Sequence, residues 1–188
     1  MKKILVIGCP GSGKSYFSGK LAEITGIPLC HLDMLYWNAD RTNVTREVFL
    51  ERLNKVLETE SFIIDGNFSF TLEHRLNNSD TVFFFDLPVE VCIEGILQRR
   101  GKPRPDLPWN EADYPVDEEF LTFVRNFEKD RKPNILSLLE KYSDREIITF
   151  RSRAEVNEFI EKCKVGICRD APTGTFAVGM PRQALSRY

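Results

Sequence analysis

Short apolar runs alternate with amphipathic stretches along this chain, and the hydrophobic period switches between the two at each boundary. The runs at 3–7, 28–32, 62–65, 81–86 and 146–150 read as strands, and helical spacing marks 14–25, 45–58, 71–76, 89–100, 118–142 and 153–163. The run Thr81-Val82-Phe83-Phe84-Phe85-Asp86 does not alternate, as expected of a central strand buried on both faces. Strand–helix–strand order of this kind predicts an α/β fold in three layers, a parallel sheet between helices. Two regions break the pattern. Residues 101–115 hold Pro103, Pro105, Pro108 and Pro115 and read as a loop between two helices. Residues 166–188 lose periodicity and carry Pro172, Gly174, Gly179 and Pro181, so they form a tail, either an appendage packed on the domain or a flexible end. The folded domain is expected at 1–165.

Composition narrows the classes. The chain has 188 residues, 42% hydrophobic and 29% charged, enough for one domain with a proper core. A formal net charge of -2 argues against nucleic acid or an anionic membrane as partner. No apolar run approaches membrane-spanning length. Met1-Lys2-Lys3 precedes an apolar stretch too short for a signal peptide, so that stretch is better read as the first strand. The five cysteines are odd in number and scattered, with only two histidines and no CxxC pair. That pattern argues against a disulfide framework or a structural zinc site and suggests reduced thiols in a cytoplasmic protein.

The strongest chemical signal is Gly8-Cys9-Pro10-Gly11-Ser12-Gly13-Lys14-Ser15, which fits G-x-x-x-x-G-K-[ST] and sits between a strand and a helix. Its glycines let backbone N–H groups turn inward on phosphate oxygens, with the helix N-terminus adding positive potential. Gly8, Pro10, Gly11, Ser12 and Gly13 are thus expected to cradle ATP. Lys14 should reach the β- and γ-phosphates, and the Ser15 hydroxyl should ligate Mg²⁺.

A loop of this kind needs an acid at a strand end to hold the metal's shell. Asp65 and Asp86 end their strands suitably, and Asp33 ends His31-Leu32-Asp33 at the second strand's C-terminus. Each could instead be a turn or cap aspartate. Arginines that close over the transferring phosphoryl group are also expected. Arg99-Arg100 precede the proline-rich loop, and Arg125 and Arg131 follow it on what reads as one long helix, so the group looks like a lid over about 101–117. For any one of these arginines, a solvated helix face is the competing reading. Trp37 and Trp109 read as packing residues.

These residues together resemble the adenylate kinase-like branch of P-loop kinases. In detail the chain looks most like bacterial proteins labelled DNA topology modulation (FlaR-related) kinases. The carriers are the phosphate loop, His31-Leu32-Asp33 with Trp37, Asp65-Gly66-Asn67, Arg75, the strand at 81–86 and Arg99-Arg100. The resemblance implies a five-stranded parallel sheet in order 2-3-1-4-5, an acceptor-binding segment after strand 2, and a short lid. It also implies roles for Asp65-Gly66 around Mg²⁺, for Arg99 as a phosphate clamp, and for Asp33, Asn67 and Arg75 toward the acceptor. Gly95 stands where adenylate kinases carry an arginine against the adenine ring, so their base selectivity does not follow; the segment after Asp33 lacks their acceptor pattern, so neither does AMP as acceptor.

The resulting expectation is ATP- and Mg²⁺-dependent phosphoryl transfer to a small acceptor bearing a hydroxyl or phosphate, such as a nucleotide or nucleoside. Catalysis would rest on Lys14, Asp33, Arg99, Arg125 and Arg131, and metal binding on Ser15, Asp65 and Asp86. The alternatives are a regulatory NTP-binding protein and a nucleic-acid-associated NTPase.

Overall fold

The computed structural model describes residues 1–102, 104–109 and 117–166. Five strands, β1 (Lys3–Gly8), β2 (Leu29–His31), β3 (Phe62–Asp65), β4 (Thr81–Phe85) and β5 (Glu146–Phe150), form one parallel sheet in order β2-β3-β1-β4-β5. That is the expected topology. Successive strand residues point to opposite faces, and every residue of β3 and β4 is buried, so the sheet is covered on both sides. Helix α1 (Lys14–Thr25) lays Phe17 on the sheet, its ring edge-on to Phe83 at 4.8 Å and to Phe85 at 5.4 Å. Burying one such ring is worth about 2–3 kcal/mol. The helix ends at Gly26, whose left-handed conformation lets its N–H bond back to the Ala22 carbonyl.

Three expectations need correction. The second strand stops at His31, so Leu32 and Asp33 lie in a five-residue helix, α2 (Leu32–Tyr36), in which the Asp33 carbonyl accepts from the Trp37 N–H. Helices α3 (Arg46–Leu57), α4 (Ser69–Asn77) and α5 (Val89–Arg99) follow as expected, within a few residues. The long helix expected at 118–142 is instead three: α6 (Glu118–Arg125), α7 (Phe127–Asp130) and α8 (Lys132–Lys141). The first break falls at Asn126, and Pro133 is the reason for the second. It has no N–H to donate and clashes with the preceding turn, so it can only stand at the start of a helix, and it occupies that place in α8. Finally, Cys9, Cys30 and Cys92 are free thiols but Cys163 is disulfide-bonded, which limits the reduced-thiol expectation to the first three among the described residues. Helix α9 (Arg153–Lys164) completes the described elements. No helix among the described residues is long and apolar enough to cross a membrane. Of the lid expected at about 101–117, Pro103 and 110–116 lie outside the described residues, as does the tail from 167 onward.

A second aromatic cluster lies apart from the Phe17 cluster. Tyr36 packs edge-on to Phe49 at 5.5 Å and against Phe68 at 4.9 Å, and Trp37 meets Trp109 edge-on at 5.6 Å. Both tryptophans are thus packing residues, and Trp109 ties segment 104–109 to the end of α2.

Candidate active site

The phosphate loop leaves β1 at Gly8 and enters α1 at Lys14. Its curl depends on glycine at two close approaches. Gly11 has φ 82°, and a Cβ there would stand 2.1 Å from the Cys92 carbonyl oxygen; Gly8 has φ 138°, and its Cβ would meet the Phe85 carbonyl oxygen at 2.4 Å. Asn67 fixes the loop's entrance by accepting from the Gly8 N–H at 3.0 Å and donating to the Gly8 carbonyl at 2.7 Å. The N-terminus of α1 has no side-chain cap and no acid in its first turn, and the buried Ser12 hydroxyl has no hydrogen-bond partner. An anion would satisfy these donors. Lys14 donates to the Cys9 carbonyl at 2.9 Å, and its burial pulls its pKa down, against the opposing charge of Asp65. Gly95 gains a reason of its own: a Cβ there would lie 2.2 Å from the Gly11 carbonyl oxygen. Helix α5 presses directly on the phosphate loop, so no arginine fits at that position.

Beside the loop, the β2–β3 register sets His31 opposite Asp65, and the imidazole Nδ1 lies 2.9 Å from Asp65 Oδ2. Burial works against a charged His31, but the hydrogen bond and charge of Asp65 prevail and raise its pKa. The other oxygen, Asp65 Oδ1, is buried with no partner. Asp33 has a raised pKa, first from burial, then from the charge of Asp65, while Arg104 and Lys14 oppose the rise. Asp33, Asp65, Lys14 and Arg104 therefore share one electrostatic neighbourhood. Arg99 belongs to it as well, since its charge helps depress Lys14.

Other expected site residues are engaged elsewhere. Arg75 is fully buried and spends its guanidinium on the carbonyls of Gly66 (3.0 Å), Asn67 and Phe68 (3.4 Å) and on the Thr71 hydroxyl (3.2 Å). It shapes the 66–68 loop and so positions Asn67, rather than addressing a substrate. Gly66 takes φ 131° and lies against Leu32. Asp86, expected at the metal, pairs with Lys132 at 2.7 Å. Arg125 is half-exposed and pairs with Glu118 at 3.5 Å, while the exposed Arg131 stacks over Phe123 at 5.5 Å. The break at Asn126 takes the two arginines out of the single long helix expected for them.

The site also holds residues not foreseen. Asp106, only 6% exposed, accepts a hydrogen bond from the Ser15 hydroxyl at 3.0 Å. Arg104 forks onto the same carboxylate, Nε to Oδ1 at 3.1 Å and Nη2 to Oδ2 at 2.7 Å. The one signal for the pair was Arg and Asp bracketing Pro105 in a proline-rich stretch. ATP with Mg²⁺ fits this donor set: open N–H groups at a helix start for phosphate, and a hydroxyl with carboxylate oxygens, one of them orphaned, for a hard cation.

No protein-family model matches the sequence, and no curated protein does. Solved structures do match in three dimensions. Shikimate kinase from Acinetobacter baumannii, in complex with shikimate, superposes with a TM-score of 0.59 at 17% identity, covering 92% of this chain and 96% of that one. A gluconokinase from Sinorhizobium meliloti 1021 gives 0.54 at 16% identity over 89% and 92% of the two chains. Shikimate kinase from Bacteroides thetaiotaomicron gives 0.52 at 18% identity over 86% and 96%. The fold is that of a P-loop kinase.

Proposed function

We propose that the protein transfers the γ-phosphoryl group of ATP to a hydroxyl of a small-molecule acceptor. The observation that carries this reading is Asp33, a carboxylate of raised pKa held in the electrostatic neighbourhood of Lys14, on the segment that follows strand β2. In this reading the acceptor hydroxyl attacks the γ-phosphorus as the bond to the ADP oxygen breaks, and Asp33 orients that hydroxyl and takes its proton. Lys14 and Arg99 meet the charge on the transferring group. Mg²⁺, when bound, neutralises charge on the β- and γ-phosphates. Asn67 and Arg75 act one step back, the first by clamping Gly8 and the second by holding the loop that carries Asn67. The folds shared with shikimate kinase and a gluconokinase favour a small hydroxylated acceptor. The finer likeness to topology-modulation kinases rests on His31-Leu32-Asp33 and Asp65-Gly66-Asn67 in the sequence.

The test is ADP release from ATP-Mg²⁺ with and without pools of hydroxylated metabolites, shikimate and gluconate among them. Acceptor-dependent ADP is the expected result. ATP binding with no acceptor-dependent turnover in any pool would favour a regulatory NTP-binding protein. Asp33→Asn keeps size and a hydrogen bond but removes the base, so transfer slows by about a hundredfold while ATP affinity stays near wild type. Unchanged transfer in this variant would remove Asp33 from the mechanism.

A further inference from the structure

A phosphate loop holds its magnesium between the Ser/Thr hydroxyl at its end and a carboxylate, usually at the end of a neighbouring strand. Here the strand-end acids are engaged elsewhere: Asp86 is paired with Lys132, and Asp65 turns Oδ2 to His31. The carboxylate that does meet Ser15 belongs to Asp106, 91 residues further along the chain, in segment 104–109. We propose that Asp106 is the acid that completes the divalent-cation site with Ser15, so that the cation fastens segment 104–109 onto the phosphate loop.

Four observations support this. The Ser15–Asp106 bond already pairs a metal-binding hydroxyl with an anionic oxygen at 3.0 Å. Arg104 grips both carboxylate oxygens, which sets their direction in the way outer partners set a metal-ligating carboxylate. Independently, Asp65 is nine-tenths buried and its Oδ1 has no hydrogen-bond partner, an anionic oxygen waiting for a cation in the same neighbourhood. Finally, the charge of Asp106 is felt by both His31 and Asp33, which places it in the pocket rather than on the rim. Burial alone would push the Asp106 carboxyl up. The hydrogen bonds and charge of Arg104, with help from Ser15, hold it at about 2, so it stands ionised at neutral pH. A purely local role, in which Arg104 and Asp106 pin a turn around Pro105, explains their ion pair but not the bond to Ser15.

The proposal rests on the phosphate loop binding ATP, and the test separates the two. ATP affinity is measured by calorimetry without acceptor, in Mg²⁺ and in EDTA, for wild type and Asp106→Asn. Mg²⁺ is also titrated into each ATP-saturated protein while tryptophan emission is followed. Trp109, packed on Trp37 three residues beyond Asp106, reports docking of the segment. Asp106→Asn should raise the Mg²⁺ midpoint by about tenfold or more. Its affinity for ATP in EDTA should be unchanged or tighter, and Asp106→Glu should recover part of the midpoint. An unmoved midpoint in an Asp106→Asn protein that still binds ATP overturns the proposal and leaves Asp106 as a pin. If Asp106→Asn does not fold, Asp106→Glu decides: a raised midpoint supports the assignment and an unmoved one overturns it. A wild type that binds no ATP in either buffer takes down the phosphate-loop reading and this proposal with it.

Discussion

The phosphate loop is held by backbone, whereas the acidic pocket beside it is held by side chains from distant segments. Around the loop, Gly8 sits on the Phe85 carbonyl, Gly11 on the Cys92 carbonyl and Gly95 on the Gly11 carbonyl, with no space for a side chain at any of the three. In the pocket, His31 reaches Asp65 from the next strand, and Asp106, gripped by Arg104, reaches Ser15 from beyond α5. The first arrangement is rigid because it is steric, and it prearranges donors for phosphate. The second is electrostatic, so its geometry can change when a cation or an acceptor enters. The proposed phosphoryl transfer would need both: a fixed cradle for the nucleotide and an adjustable set of charges where the acceptor arrives.

The steric half breaks with one methyl group. Gly11→Ala forces a Cβ onto a backbone carbonyl at 2.1 Å while demanding a left-handed conformation that alanine resists. The cost should be about 2–5 kcal/mol of stability, read as a lowered denaturant midpoint, with ATP binding lost.

The same contrast explains what the sequence made legible. The phosphate loop could be read directly because its chemistry is local, eight consecutive residues between a strand and a helix; the parallel sheet followed from the strand–helix alternation, and its order from the family resemblance. The Ser15–Asp106 bond could not, since it joins residues separated by 91 positions through a stretch that reads only as a proline-rich loop. The acceptor role expected of Arg75 came from the family resemblance. The place of Arg75 four residues after Thr71, between the buried Leu72 and Leu76, was the sign that it points inward. Arg125 and Arg131 share one helix in the sequence pattern, whereas the chain breaks between them at Asn126.

The electrostatic half can be sharpened by pH. Burial and the charge of Asp65 raise the Asp33 pKa above its ordinary value of 3.8, and the positive charge of Arg104 holds it back. A base must be ionised to take a proton, so kcat/KM should fall on the acid side as pH drops through the Asp33 pKa. Arg104→Gln removes the restraining charge, so that pKa rises further and the acid limb should move to higher pH. Profiles of kcat/KM for the two proteins check the direction. A limb that stays in place would mean that another group titrates there, and Asp33 would lose its role as base.

The smallest effect is expected from the arginine that charge spacing promoted and the structure sets aside. Arg99 and Arg125 flank the same proline-rich stretch and look equivalent in sequence, yet only Arg99 imposes its charge on Lys14. Arg125 faces Glu118, seven residues back on its own helix, at 3.5 Å and half-exposed. Such a pair is screened by solvent and contributes little, so Arg125→Ala should change stability by no more than about 0.5 kcal/mol. Its kcat should stay within about twofold of wild type, because no charge at the reacting phosphorus depends on it. Arg99→Ala, measured alongside, should lower kcat by about a hundredfold with ATP affinity little changed, the pattern of a group that acts on charge present only in the transition state. Were Arg125→Ala to slow turnover as much as Arg99→Ala does, helix α6 would have to swing its arginine inward during turnover. The side chains around the acceptor would then rearrange far more than the Glu118 pair suggests.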